Sequence, residues 1–163
     1  MDFHTPYNST GCTQCFEYGT CKIDKDDSSD NMKIIKKGML TADYIIVASP
    51  VYGHNVSGDT KAFIDRITYW THLLRLTGKP GTVVSSCSNN GMQFVYAYLR
   101  KIVNYLGLYI VEKIGLDHET QITDSQLTGF ASNIYDYINE TKKVKSTDEL
   151  EHVFQPRFKV CIQ

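Results

Sequence analysis

The sequence predicts an α/β fold built on a parallel sheet, and three observations carry that expectation. Segments of strand length alternate with segments of helical period from residue 30 to residue 138, in the order helix, strand, helix, strand, helix, strand, helix. The run Ile45-Ile46-Val47 is continuously apolar, as expected of a parallel strand buried on both faces. Two strands end in short polar loops, Ser49–Ser57 and Cys87–Gly91, that lead directly into helices. Right-handed crossovers with helices on both faces are implied by that alternation.

The elements can be justified in order. Residues 1–30 read as an irregular segment, because Pro6, Asn8, Gly11 and Gly19 break any period, and Cys12, Cys15 and Cys21 lie within it. Asp30 is placed to cap a helix whose apolar positions are Met32, Ile35, Met39 and Leu40, with Lys33, Lys36 and Lys37 expected on its wet side. The first strand begins at Tyr44. Ser57 is placed to cap a second helix with Phe63, Ile64, Ile67 and Leu74 on its apolar face, and Lys61 and Asp65 stand at i, i+4. Gly78-Lys-Pro-Gly81 turns the chain into the strand Thr82–Ser86. The third helix buries Val95, Leu99, Ile102, Val103 and Leu106 and is stopped by Gly107. Leu108–Gly115 is the third strand, and Leu127, Phe130, Ile134 and Ile138 mark a last helix capped by Asp124 or Ser125. The expected organisation is one domain over 1–143 and a mixed tail over 144–163 that contains Val153, Phe154, Pro156 and Phe158.

Composition excludes several classes. The chain has 163 residues, enough to bury a core without disulfides, and a net charge of -1 gives no general attraction to nucleic acid or acidic membranes. No apolar run is long enough to span a bilayer, and the first residues lack a basic region followed by an apolar one, so a cytoplasmic protein is expected. Five cysteines, an odd number, read as reduced thiols.

The residues Ser49-Pro-Val-Tyr52, Asn55, Ser57-Gly58, Lys61-Ala-Phe63, Asp65-Arg66 and Gly78-Lys-Pro-Gly81 resemble the NAD(P)H-dependent FMN reductase family. The upstream Cys12-x2-Cys15, Cys21 and Asp26-Asp27 resemble its iron–sulfur flavoprotein branch. The resemblance covers roughly residues 11–140. It implies a flavodoxin-like three-layer sandwich, FMN held at the strand ends, and hydride passing from NAD(P)H through flavin to an acceptor. The flavin ring would then meet Ser49, Pro50, Val51, Tyr52, Gly53 and Asn55 on one wall and Ser86, Cys87, Ser88, Asn89, Asn90 and Gly91 on the other. Without a cofactor, the same stretches serve as strand-to-helix turns, with Asn55 satisfying its own backbone.

His54 is the one candidate proton donor near the ring, against the plainer role of an exposed loop histidine. Cys87 stands near a helix start, where a thiol can be activated or simply packed. Lys61, Asp65 and Arg66 read as structural ion pairs, and Tyr69, Trp70 and His72 as a packed aromatic cluster or a lid over the flavin.

The chain departs from the family pattern twice. Relatives begin with a strand and a Ser/Gly-rich phosphate loop leading into a helix; here His4–Thr10 offers Thr5, Ser9 and Thr10 with no apolar strand ahead of them. Only three strands are recognisable, the fold is expected to be truncated at its N-terminus, and the first strand should form an unpaired edge. A protein partner supplying the missing strands and phosphate loop, or a homo-oligomer, is therefore expected. The acceptor would be a small molecule or a modified peptide. The contrasting expectation is a non-catalytic scaffold or binding subunit that has lost FMN. The second departure concerns metal: Cys12, Cys15 and Cys21 are candidate ligands, but Tyr18 stands where a compact cluster motif would place a third thiol, and Cys87 or Cys161 would have to complete the set. An iron–sulfur cluster is not expected, and packing thiols or a reversible disulfide are.

Overall fold

A computed structural model describes residues 6–26, 30–117, 122–146 and 151. His4, Thr5, Asp27, Cys161 and the apolar tail residues Val153, Phe154 and Phe158 lie outside the described residues. In chain order the elements are α1 (Gln14–Tyr18), α2 (Ile23–Asp26), α3 (Met32–Thr41), β1 (Ile45–Tyr52), β2 (Asn55–Val56), α4 (Gly58–Ile67), α5 (Trp70–Leu73), β3 (Pro80–Ser86), α6 (Met92–Tyr105), β4 (Tyr109–Leu116) and α7 (Asp124–Ile138). No helix among the described residues is long and apolar enough to cross a membrane.

β1, β3 and β4 are parallel, as the alternation requires, and the sheet order is β2-β1-β3-β4. The short β2 is an addition to the three expected strands: it folds back antiparallel, pairing Val51 with Val56 and Tyr52 with Asn55. Gly53 and His54 between them have φ of 56° and 63°. Positive φ at both central residues is what a two-residue hairpin turn needs to match the strand twist. A strand of two residues leaves no periodicity to read, and only glycine at the first turn position marks it.

The core lies on one face of the sheet, where Met32, Ile45, Ile64, Ile67, Val83, Val95, Leu99 and Val103 form one buried cluster. Tyr69 and Trp70 belong to it, their rings 6.3 Å apart at 78°, so they pack the core and form no lid. β1 and β3 approach closely at Gly81. A Cβ there would stand 2.5 Å from the Ile45 carbonyl oxygen and 2.6 Å from Leu108 Cδ2.

The expectation that β1 is buried on both faces is wrong. Ile45 and Ser49 are buried, but Ile46 is 57% exposed and Ala48 is open. Register places α7 on this second face: Ile46 pairs with Thr82, the Thr82 Oγ1 lies 2.7 Å from the Tyr44 hydroxyl, and Tyr137 of α7 meets Tyr109 at 6.2 Å. Yet no residue of α7 is buried, and Leu127 and Ile138 of its apolar face are exposed. The outer edge of β1 from Ile45 to Pro50 also has no strand partner among the described residues, since β2 pairs only with Val51 and Tyr52.

Several local expectations need correction. Lys36 was expected in water. It is buried, donates to Asp24 Oδ2 at 2.7 Å and lies 5.1 Å over the Tyr69 ring. Arg66 does not pair within its helix. It is 2% exposed and donates to Asp24 Oδ1 at 2.5 Å, Asp30 Oδ2 at 2.5 Å and the Tyr7 carbonyl at 3.0 Å. Burial opposes its charge, and the bonds to Asp30 and Asp24 outweigh that, so its pKa is held above the ordinary value. Asp30 also accepts from the Met32 N–H at 3.0 Å, although Asn31 occupies the cap position. These two cations and two carboxylates fasten the irregular N-terminal segment to α3 and α4. The apolar stripe ending at Leu74 is two helices rather than one, closed where Leu74 turns left-handed at φ 47°. α7 is capped by Thr123, not Asp124 or Ser125, in a reciprocal box with Gln126.

Candidate functional site

β1 and β3 end side by side, and the loops that leave them form one continuous rim at the carboxyl edge of the sheet. The register Ser49↔Ser85 and Pro50↔Ser86 fixes how the two loops begin. Parallel sheets bind ligands at this edge because the chain crosses between layers there.

The first loop is held by its own polar groups. Ser49 is buried, and its Oγ accepts from the Ser57 N–H at 3.1 Å and donates to the Pro50 carbonyl at 2.9 Å. Ser57 in turn caps α4, its Oγ accepting from the Thr60 N–H at 3.3 Å. The Asn55 Oδ1 accepts from the Val56 N–H at 2.8 Å. These oxygens shape the hairpin, those of Ser49 and Ser57 from buried positions and that of Asn55 from an exposed one. What the hairpin offers outward is Tyr52, 65% exposed, together with Gly53 and His54, while Pro50 and Val51 are half-buried.

The second loop begins at Ser86 and Cys87, both half-buried, with the Cys87 N–H donating to the Leu116 carbonyl at 2.9 Å. Ser88, Asn89 and Asn90 are exposed. Gly91 closes the loop at φ 92°, and a Cβ on it would stand 2.8 Å from Val51 Cγ1. Only glycine accepts both that φ and that contact. The two loops touch there, and the His54 ring stacks on Phe94 with centroids 5.4 Å apart and planes at 29°. One face of the candidate proton donor is thus taken by a protein ring.

All the residues expected from the sequence at the strand ends come together, from Ser49 to Asn55 and from Ser86 to Gly91. Phe94 was missed. It precedes Val95 of the buried stripe and is itself 51% exposed, and an uncovered aromatic in the first turn of α6 was the available signal.

The rim fits the ring end of FMN: small exposed polar side chains on Ser88–Asn90 suit the ring's polar edge, and Tyr52 gives a flat surface. The described residues contain no Ser/Gly-rich loop running from a strand into a helix at the β1 edge, so a phosphate cradle is not found among them.

Cys12 is exposed, Cys15 is half-buried, Cys21 is buried in the apolar core, and Tyr18 is exposed. Among the described residues no group of three or more His, Cys, Asp or Glu side chains is arranged to hold a metal ion.

Comparison with known proteins agrees with the geometry. The sequence profile of the NADPH-dependent FMN reductases matches residues 6–121. An iron–sulfur flavoprotein of Archaeoglobus fulgidus is 31% identical over 100 residues, covering 61% of this chain and 43% of the relative. Another, from Methanocaldococcus jannaschii, is 38% identical over 84 residues, covering 51% of this chain and 41% of that protein. The chain thus spans less than half the length of these curated relatives. Among solved structures, an NADH:FMN oxidoreductase in its apo form superposes with a TM-score of 0.55 at 18% identity, over 84% of this chain and 69% of that one. RosB with a bound flavin intermediate superposes with a TM-score of 0.59 at 12% identity, over 97% and 69% respectively. These similarities show a flavodoxin-like fold, and the profile match shows the family: this chain belongs to the NADPH-dependent FMN reductase family.

Proposed function

We propose that this chain carries the flavin-ring half of an FMN-dependent oxidoreductase that takes hydride from NAD(P)H and passes reducing equivalents to a small-molecule or modified-peptide acceptor. The observation that carries the proposal is the joined rim at the strand ends, where the hairpin and the Cys87–Gly91 loop meet at Gly91. Bound FMN supplies the hydride chemistry at its ring. The protein's part is to orient and to exclude water. Tyr52 offers a flat face against which a ring can stack, and the Ser88–Asn90 side chains offer hydrogen bonds to its polar edge. Local bonds at Ser49, Ser57 and Asn55 hold the rim in shape before any ligand arrives. No side chain at the rim is assigned a proton transfer.

A second proposal concerns the phosphate. The open edge of β1, with Ile46 exposed beside it, is where a neighbouring strand would add, and another polypeptide is proposed to bring both that strand and the phosphate loop. A second copy of this chain is the competing occupant.

The test uses two ligands. The purified chain is titrated with FMN and with riboflavin, which lacks the phosphate, and quenching of flavin fluorescence is read. A chain that holds only the ring binds both within about threefold, a difference of less than 1 kcal/mol. FMN binding at least about a hundredfold tighter places the phosphate on this chain and removes the partner proposal. If neither flavin binds, alone or when the chain is co-expressed with a flavodoxin-like neighbour, the enzyme proposal falls and a non-catalytic scaffold stands.

A further inference from the structure

The two loops of the rim meet ring against ring. His54, in the turn of the hairpin, lays its imidazole on the phenyl ring of Phe94 in the first turn of α6, with centroids 5.4 Å apart and planes at 29°. Both residues are exposed, so neither ring fills the core. His54 also holds a φ of 63°, a left-handed backbone that glycine, asparagine or aspartate ordinarily takes at this turn position. Its root rests on Gly91, where a Cβ would stand 3.4 Å from His54 Cα and 3.5 Å from its Cγ. The imidazole is thus fixed at its root by Gly91 and across one face by Phe94. Among the described residues no other ring lies on it, and no hydrogen bond engages its nitrogens. One flat face, held in place, stays open on the same hairpin as the exposed Tyr52.

We infer that His54 is the contact for the nicotinamide ring of the hydride donor, and that Phe94 is the positioning residue that holds the imidazole flat for it. The assignment rests on the proposed flavin site and names the donor's place there. Planar rings pack on one another in offset stacks, and the open imidazole face is the right shape for one. Charge points to the ring rather than to the rest of the dinucleotide. Residues 49–57 and 86–94 contain no Asp, Glu, Lys or Arg. Such a rim has no cation to pair with a phosphate, whereas reduced nicotinamide is an uncharged ring that needs none.

Tyr52 and His54 then give one hairpin two flat surfaces, the first for flavin and the second for its reaction partner. The phenyl ring behind the imidazole removes side-chain freedom that the histidine would otherwise lose on binding. Orientation is what a hydride transfer needs from the protein. A plainer role for the stack is a pin between the two loops. The roles separate in what they control: a pin sets rim stability and flavin affinity, whereas a platform sets donor affinity.

The experiment reads binding rather than turnover. Proton NMR of the chain alone should show one imidazole moved upfield by the Phe94 ring, identified among the five histidines by its loss in His54→Asn, a residue that suits the turn. Phe94→Leu should return that signal to the usual range, and Phe94→Tyr should keep it shifted. Tetrahydro-NADH, which cannot give up hydride, is then titrated into the chain with and without FMN. It should move the His54 signal further, and its affinity for the FMN-loaded chain should fall about 3–10-fold in Phe94→Leu and in His54→Asn, the worth of one ring stack. Phe94→Tyr should restore it to within about twofold, and FMN affinity should stay within about twofold throughout. The KM for NADH should rise by the same factor in the two weakened variants, with reoxidation by ferricyanide unchanged. A His54 signal that ignores the analogue overturns the assignment, and so does a Phe94→Leu protein whose FMN affinity falls as far as its analogue affinity. Absence of flavin binding in wild type removes the functional reading instead, and the response of the His54 signal in the chain alone then decides the ring contact.

Discussion

Arg66→Leu tests whether the buried charge network holds the N-terminal segment to the body. Arg66 is 2% exposed and its guanidinium bonds two carboxylates and the Tyr7 carbonyl. Removing it leaves Asp30, whose side chain is fully buried, with only the Met32 N–H among the described residues. Asp24 keeps Lys36. One carboxylate is therefore stranded and the other is not, so the cost should fall in the range of one broken buried pair, about 3–5 kcal/mol. Asp30→Leu strands the arginine less, because Asp24 still holds it, and should cost about 1–3 kcal/mol. The double variant Arg66→Leu/Asp30→Leu removes both members, and its loss should be smaller than the sum of the single losses by about 1–3 kcal/mol. Urea unfolding read by tryptophan fluorescence measures all three, since Trp70 is buried in the same core. If Arg66→Leu lies within about 1 kcal/mol of wild type, or the losses simply add, the network does not couple the segment to the body.

The rim, the open strand and the tyrosines make further outcomes measurable. Gly91→Ala must force a side chain into φ 92° against Val51, and should cost about 1–3 kcal/mol, read as a lowered melting temperature together with weaker flavin quenching. In the chain alone, Ile46→Gln should change stability by less than about 0.5 kcal/mol, whereas Ile45→Ala should cost about 2–5 kcal/mol; chemical unfolding distinguishes them. Tyr44 has its pKa raised above the ordinary 10.0, chiefly by burial, and Tyr96, Tyr98 and Tyr137 are raised for the same leading reason. The folded state then holds these protons more tightly than the unfolded one, so stability is full below pH 10 and falls as pH rises above it. Thermal unfolding between about pH 9 and 11 should show that fall, and Tyr44→Phe should make it shallower.

Much of the fold was legible because parallel strands and crossover helices leave strong periodic signals. Ser57 capped the helix it was expected to cap, and Val95, Leu99 and Val103 were buried as read. The failures share a cause: they depend on partners distant in sequence. Lys36 looked like a solvated face because nothing local reveals Asp24, and Arg66 looked like a helix-surface charge because Asp30 lies 36 residues away. Ile46 looked buried because its composition is that of a covered strand, and composition cannot report whether the covering layer is present. At the site, sequence located the two loops and offered the bond of Asn55 to its own backbone, but not that Ser49 spends its oxygen inward, nor that Gly91 is the point where the loops meet.

The weak seating of α7 has a consequence for how the molecule breathes. A helix of 15 residues with no buried side chain, its Tyr137 meeting Tyr109 on the sheet, should open as a separate unit at low energy. Its amides should exchange with deuterium well before those of α6, whose Val95, Leu99 and Val103 open only with the whole core. Each such opening bares a strip of Thr82, Tyr109 and Tyr44 next to Ile46, widening the uncovered apolar face without disturbing the rim at the opposite end of the strands.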